Sequence, residues 1–86
     1  MTFNIGGVEI SEAQYRVLKL VEKGWVVVFR GGYILKKEYD PYQKPHNLNR
    51  RTVKSLIAKG MLCPLSGYKE KAFGLCPHVR EHISYL

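Results

Sequence analysis

A run of cationic and hydrogen-bonding residues at positions 49–59 is the part of the chain best suited to bind a polyanion. At 100° per residue, Val53, Leu56 and Ile57 share one face of a helix over this segment. The other face carries polar side chains around one small alanine, and such a face fits into a groove lined with phosphates. We therefore predict a nucleic-acid recognition helix that presents Arg51, Lys54, Ser55 and Ala58, with Arg50 and Lys59 at the edges.

The same segment has start and stop signals for a helix. Asn49 can act as the N-cap, because its side chain can accept from the free N–H groups of the first turn. Leu48 and Val53 stand at the two positions of a hydrophobic staple. Gly60 suits the left-handed residue that ends a helix.

A second set of residues with possible chemistry is the array C-x12-C-x-H-x3-H, formed by Cys63, Cys76, His78 and His82. These are zinc-ligand types, and the two histidines lie at i and i+4 of a predicted helix. A Cys-x-x-Cys knuckle is absent, however, and Cys76 suits an N-cap while Cys63 suits a strand core. Against zinc, we expect buried thiols, exposed histidines and no bound metal. The thiols could equally form a disulfide if the outer strands pair there, and the sequence does not decide between free and bridged cysteines.

Catalytic patterns are weak in this chain. It has no phosphate-binding loop and no Gly-x-Ser-x-Gly elbow, and Asp40 is its one aspartate. Cys76 with His78 or His82 could supply a nucleophile and a base, but a cysteine at an N-cap is often only a small polar cap. We predict that the protein is not an enzyme and uses no cofactor.

The net charge of +7 is unevenly distributed. Residues 36–71 hold nine basic and three acidic side chains, whereas residues 1–35 hold four basic and three acidic ones. Concentration of positive charge around the predicted recognition helix indicates a polyanionic partner, although small basic domains that bind no nucleic acid are common.

Membrane insertion and secretion are not indicated. The longest unbroken apolar run, residues 25–29, is too short to cross a bilayer, and no charged-then-apolar leader opens the chain. Two cysteines are too few for a secreted disulfide framework. We therefore expect a cytoplasmic protein.

Two further helices are predicted, one near each end. Ser11 and Gln14 form a capping box, and the helix that it opens continues through Lys23 and stops at Gly24. The last helix runs from residue 78 to about 85, with Cys76 at its N-cap and Pro77 at its first position. The first helix has an apolar stripe of Ala13, Val17, Leu18, Leu20 and Val21.

Strand patterns occupy most of the remaining chain. Gly31 and Gly32 separate two β-rich runs, which predicts a hairpin with a type I′ turn and positive φ at both glycines. Ser66 and Gly67 separate two further runs and predict a second hairpin. The predicted segments are a short hairpin or edge strand at 3–10, a hairpin at 25–39, a proline-containing connector at 40–47 and a hairpin at 61–75.

This order of helix, hairpin, basic helix, hairpin and helix resembles a winged helix-turn-helix domain of the small phage or mobile-element kind. Residues 52–62 look like the end of a recognition helix entering a wing, and residues 68–75 look like the returning wing strand. Residues 76–80 stand where such domains often have Leu-Thr-Pro-x-Gly. The resemblance implies an α+β fold, with residues 1–86 forming a single winged helix-like domain of two β-hairpins and about three helices.

The chain departs from this family ahead of the recognition helix. The family has a second helix there, whereas this chain has the hairpin at 25–39 followed by the connector. Either that hairpin or a single turn within residues 42–47 replaces the missing helix.

By resemblance, the protein binds double-stranded DNA as a small transcriptional regulator, with helix 49–59 in the major groove and hairpin 61–75 as the wing. Arg50 or Arg51 would address guanine, Ser55 would reach a base or a phosphate, and lysines would anchor phosphates. Lys69 and Lys71 would project on the same side of the wing strand. The implied DNA-binding residues are Asn49, Arg50, Arg51, Lys54, Ser55, Lys59, Lys69 and Lys71.

An alternative function is that of a small phage-type inhibitor or adaptor that grips an acidic protein surface through the same basic face. Its expected sign is a patch of exposed aromatic side chains drawn from Tyr39, Tyr42, Tyr68 and Tyr85. A homodimer is also expected if the apolar C-terminal residues Ile83, Tyr85 and Leu86 are left uncovered.

One contiguous core should unite the apolar faces of all these elements. Its predicted members are Val17, Leu20, Val21, Trp25, Val27, Leu48, Val53, Leu56, Ile57, Leu62, Phe73 and Leu75.

Overall fold

The fold combines three helices with a two-stranded and a five-stranded sheet within residues 2–37, 42 and 44–83, which are the residues that the computed structural model describes. The predicted α+β class is therefore confirmed. The elements are β1 (Thr2–Ile5), β2 (Val8–Ser11), α1 (Glu12–Glu22), β3 (Trp25–Phe29), β4 (Tyr33–Lys37), β5 (His46–Asn47), α2 (Arg50–Ala58), β6 (Leu62–Leu65), β7 (Lys71–Leu75) and α3 (Pro77–Ile83).

Helix α1 begins at the predicted capping box. The Oγ atom of Ser11 accepts from the backbone N–H of Gln14 at 3.2 Å, and Oε1 of Gln14 accepts from the N–H of Ser11 at 2.8 Å. The predicted apolar stripe is wrong at Ala13, which is exposed, whereas Gln14 is buried. The reason is helical phase, since Gln14 stands three, four and seven residues before the buried Val17, Leu18 and Val21.

The two predicted hairpins join into one antiparallel sheet with the strand order β5-β4-β3-β7-β6. Strand β7 pairs with β3 as well as with β6, so that Val28 lies opposite both Ile34 and Ala72. Strands β1 and β2 form a separate hairpin, as residues 3–10 predicted. The β6–β7 hairpin is therefore part of the same sheet as the β3–β4 hairpin.

The turn between β3 and β4 differs from the predicted two-residue type I′ turn. Phe29 and Tyr33 are the last paired residues, which leaves a three-residue connection at 30–32. The N–H of Arg30 donates to the carbonyl of Gly32 at 2.9 Å, and only Gly31 of the two glycines has a positive φ, at 67°. A three-residue loop needs only one left-handed residue, so the second glycine is not required for φ.

The segment directly ahead of α2, where the resembled family has a helix, forms a strand here. Within residues 44–49 of the described chain no helix occurs, and β5 pairs with β4 instead. The N–H of Leu48 then donates to the carbonyl of Tyr33 at 2.9 Å, which leads the chain directly into α2. Parts of the connector, residues 40, 41 and 43, lie outside the described residues.

One core cluster contains every residue of the predicted core. Seven of them are buried (Val17, Val21, Val27, Val53, Leu56, Leu62 and Leu75), and the other five are partly buried against them (Leu20, Trp25, Leu48, Ile57 and Phe73). The cluster also includes Ile5, Ile10, Leu18, Leu35, Met61, Cys76, Val79 and Ile83.

The burial of Ile83 contradicts its predicted place in an uncovered dimer surface. Its side chain is 0% exposed, because α3 turns that face toward the core cluster. Tyr85 and Leu86 lie outside the described residues, as does the end of the predicted last helix beyond residue 83.

Of the states that the sequence left open for the two cysteines, the structure has the bridged one: Cys63 and Cys76 form a disulfide with a Cα–Cα distance of 5.2 Å. The ladder between β6 and β7 places Cys63 opposite Gly74, two residues before Cys76. The N–H of Cys76 donates to the carbonyl of Met61 at 3.2 Å, which holds the start of α3 beside β6. This is the alternative in which the outer strands pair at the cysteines.

Candidate nucleic-acid interface

Helix α2 has the predicted caps at both ends. The Oδ1 atom of Asn49 accepts from the N–H of Arg51 at 2.8 Å. At the other end Gly60 has a φ of 73°, its N–H donates to the carbonyl of Ile57, and the N–H of Met61 donates to the carbonyl of Leu56. These two bonds form a Schellman motif, which fixes the length and exit direction of the helix.

The rotational phase of α2 is also as predicted. Val53 and Leu56 are fully buried and Ile57 is half-buried, while Arg51 and Lys54 are exposed on the other side. Arg50 and Ala58 are exposed as well, and Ser55 is half-buried. The cationic side chains therefore face away from the core.

The positive end of α2 carries arginines without acidic neighbours. Its first turn contains no acidic residue, and Arg50, Arg51 and Lys54 make no ion pair or side-chain hydrogen bond with the described residues. The free N–H groups at a helix N-terminus attract anions and repel cations. Two arginines at this end thus weaken the isolated helix, whereas a bound anion would be favoured by the helix dipole and by the arginines together.

Lys59 differs from the other cations of the segment. Its Nζ donates to the backbone carbonyl of Glu9 at 3.0 Å and lies 3.4 Å from Oε1 of Gln14. Since Gln14 is also the capping-box residue of α1, this contact ties the C-terminal end of α2 to β2 and α1. The ammonium group predicted to anchor a phosphate is therefore held by two neutral acceptors, although the side chain stays exposed.

Three loops meet at one end of the five-stranded sheet. The turn at 30–32 follows Phe29, residues 48–51 pass beside Tyr33 into α2, and residues 66–70 enter β7 next to Phe29. We call residues 30–32, 48–51 and 66–70 the loop end. Three strand spacings separate β5 from β7, which is about 14 Å and close to the width of about 12 Å of a B-DNA major groove.

Lys71 lies on the same face of the sheet as the helices. It stands directly opposite Phe29, whose other neighbour is Tyr33, and residues opposite one another in a ladder share a face. The rings of Phe29 and Tyr33 are 5.0 Å apart between centroids, and Tyr33 packs against the core cluster. Lys71 is exposed beside this aromatic pair.

Lys69 does not share the predicted side of a strand with Lys71. Strand β7 begins at Lys71, so Lys69 lies in the loop at 66–70, where the alternation of a paired strand does not apply. The loop folds back over the outer face of the sheet, since Tyr68 packs against the small cluster of Val26, Val28 and Ala72. Lys69 is exposed on this loop.

Glu70 holds the loop at 66–70 against the β3–β4 hairpin. Its carboxylate accepts from Nε and Nη2 of Arg30, the latter at 2.8 Å, and from Nζ of Lys36 at 3.3 Å. The hydrogen bonds from Arg30, reinforced by Lys36, lower the pKa of Glu70 to about 2. The carboxylate is thus charged over the whole physiological range.

Arg30 and Glu70 were missed from the sequence. They are 40 residues apart, and each is an ordinary charged residue beside a turn. Only the pairing of β3 with β7 brings them together, so no local signal could have identified the pair.

The alternative sites are less complete. The tyrosines proposed as a protein-binding patch are not assembled within the described residues: Tyr68 packs on the sheet, Tyr42 is exposed, and Tyr39 and Tyr85 fall outside the described ranges. His78 and His82 are exposed. No group of three metal-ligating side chains occurs in the described part of the chain, and both thiols are in the disulfide.

No helix of the described chain is both long and apolar enough to span a membrane. No protein-family model, curated protein or solved structure matches the chain.

Proposed function

We propose that the protein binds double-stranded DNA through the loop end, with the N-terminal half of α2 in the major groove. The observation that carries this proposal is the unpaired cationic start of α2. Arg50, Arg51 and Lys54 are exposed and have no acidic partner among the described residues, and the two arginines stand at the N-terminal end of the helix, which favours anions.

The surrounding loops support the same surface. Lys71 lies on the helix side of the sheet at the same end as Arg50, and Lys69 is exposed in the neighbouring loop. A duplex lying across the loop end would contact the start of α2 and the neighbouring β6–β7 hairpin. In this proposal the domain is winged helix-like, with the β4–β5 pairing in place of the second helix, and acts as a small transcriptional regulator.

Different positions would have different roles. Arg51, at the second position of the helix, is the residue that we assign to a base edge, because its guanidinium can pair with O6 and N7 of guanine. Lys54, one turn later, is assigned to a phosphate, which positions the protein without reading sequence. Lys59 is not part of the proposed interface, because its ammonium group is bonded to Glu9.

A salt titration of binding to random duplex DNA tests the proposal. The logarithm of the binding constant should fall linearly with the logarithm of the salt concentration, with a slope of about −0.9 for each phosphate that is neutralised. Arg16→Ala is the matched control, because it removes one exposed cation that pairs with Glu12 on α1 and belongs to none of the three segments of the loop end. Absence of duplex binding at low salt would overturn the proposal. Tight association with an acidic protein that persists at high salt would favour the adaptor function instead.

A further inference from the structure

We propose that Arg30 is a second type of DNA contact: a guanidinium that Glu70 orients so that its free edge binds a backbone phosphate. The inference rests on the proposed function and assigns to DNA binding a turn that neither the recognition helix nor the β6–β7 hairpin contains.

The donor arrangement of Arg30 leaves part of its guanidinium unused. Nε and Nη2 each donate to one carboxylate oxygen of Glu70, which takes two of the five N–H groups of an arginine. The other three N–H groups, two on Nη1 and one on Nη2, point away from that carboxylate. The side chain of Arg30 is still 54% exposed, so this free edge is open to a ligand.

Glu70 makes the arrangement rigid. Its carboxylate also accepts from Lys36, and its own side chain is only 23% exposed. Two cations share one carboxylate, so the cluster keeps a net positive charge. A flexible arginine loses side-chain entropy when it binds a phosphate, whereas one already held by a carboxylate loses less.

Arg30 is part of the loop end, and its guanidinium lies on the outer face of the sheet, where Glu70 also accepts from Lys36. Arg30 and Glu70 lie one step beyond the last ladder pair of Phe29 and Lys71. The next two residues of the turn are Gly31 and Gly32, and a Cβ atom built at either would meet no other atom within 4 Å. A sugar–phosphate backbone can therefore approach the turn without meeting side chains.

The chemistry favours a phosphate over a base edge. The turn lies at the end of the sheet, while α2 is the element with the shape to enter a groove. A planar guanidinium binds phosphate oxygens in a bidentate manner, and such a contact is independent of sequence. The carboxylate of Glu70 repels a phosphate, so the approach has to come from the Nη1 side.

The test compares salt titrations of wild-type protein, Arg30→Gln and the matched control Arg16→Gln. Both arginines are exposed and paired with one glutamate, but Arg16 lies on α1 with Glu12. Arg30→Gln should lower the steepness of the salt dependence by about 0.9, the effect of one phosphate contact, and reduce affinity equally for all duplex sequences. Arg16→Gln should change neither quantity.

Glu70→Gln distinguishes phosphate binding by Arg30 from a purely structural role in which Arg30 only holds the loop at 66–70 in place. If Arg30 binds phosphate, Glu70→Gln should keep the wild-type salt slope and lower duplex affinity less than Arg30→Gln does, because the guanidinium remains and only its orientation is lost. If Arg30 only holds the loop in place, Glu70→Gln should weaken binding as much as Arg30→Gln, and the inference is wrong. The inference also fails, while the proposed function stands, if wild-type protein binds duplex and Arg30→Gln changes neither slope nor affinity. If the wild type does not bind duplex, both proposals fall.

Discussion

Phe29 and Lys71 form the last antiparallel pair between β3 and β7, and this register puts the lysine on the face of the sheet against which α1 packs. One position further, Arg30 and Glu70 meet through an ion pair. The end of a single strand pair therefore offers a cation on the helix side and an oriented arginine on the outer face of the sheet, where Glu70 also contacts Lys36.

The two exposed cations of α2 should affect DNA binding differently. Arg51→Ala should cost about 1–3 kcal/mol and relax the preference at one base position, since it removes a base-edge contact. Lys54→Ala should weaken binding to all sequences and lower the salt slope by about one unit. Lys69→Ala and Lys71→Ala should cause smaller, sequence-independent losses. Binding to a randomised duplex pool, followed by sequencing, measures both effects. Unchanged affinity at low salt in both helix variants would contradict the assignment.

Lys59→Met should act on stability and not on the salt dependence of DNA binding. The substitution keeps most of the aliphatic chain and removes the hydrogen bond from Nζ to the carbonyl of Glu9. We expect a loss of about 1 kcal/mol in the free energy of unfolding, measured by urea denaturation. The salt slope should stay at the wild-type value. A slope lowered as much as in Lys54→Ala would mean that Lys59 contacts DNA after all.

The ion pair of Glu70 should persist to strongly acidic pH. Because Arg30 lowers the pKa of Glu70 from 4.5 to about 2, the interaction contributes fully above the pKa of the unfolded chain. It is lost only as the pH falls through the folded-state value. A carboxyl carbon titration by NMR should place the midpoint near 2, and Arg30→Gln should move it upward. A wild-type midpoint near 4.5 would show that the pair does not form in solution.

Leu56→Ala should destabilise the domain by about 2–5 kcal/mol, because it removes a fully buried side chain from the centre of the core. Chemical denaturation measures the change. Lys54→Ala is a suitable control, since it alters a neighbouring exposed position of the same helix and should change stability by less than about 0.5 kcal/mol. Equal effects of the two substitutions would contradict the phase of α2.

Reduction of the disulfide should lower stability by about 2–4 kcal/mol, since the bridge closes a short loop and restricts the unfolded chain. The loop between Cys63 and Cys76 contains all of the β6–β7 hairpin except Leu62. Denaturation with and without reductant measures the effect. The double variant Cys63→Ala/Cys76→Ala should be insensitive to reductant. A wild-type protein equally insensitive would show that the bridge is not formed.

Local patterns determined most of the elements of this protein. The capping box of Ser11 and Gln14, the cap at Asn49 and the left-handed Gly60 depend on residues within a few positions of one another. The phase of α2 followed from the spacing of its apolar residues, because a helix repeats every 3.6 residues. The members of the core followed in the same way, since each element has to bury its apolar face.

The contacts between distant residues required the tertiary structure. The pairing of β3 with β7 brings Arg30 to Glu70, and it decides that Lys71 faces the helices while Lys69 lies in a loop. The position of β2 beside the end of α2 decides that Lys59 bonds to Glu9. The sequence by itself determined which residues are cationic and which helix presents them. Which of those cations remain available to a partner was decided by strand order and register, because these depend on packing among all the elements at once.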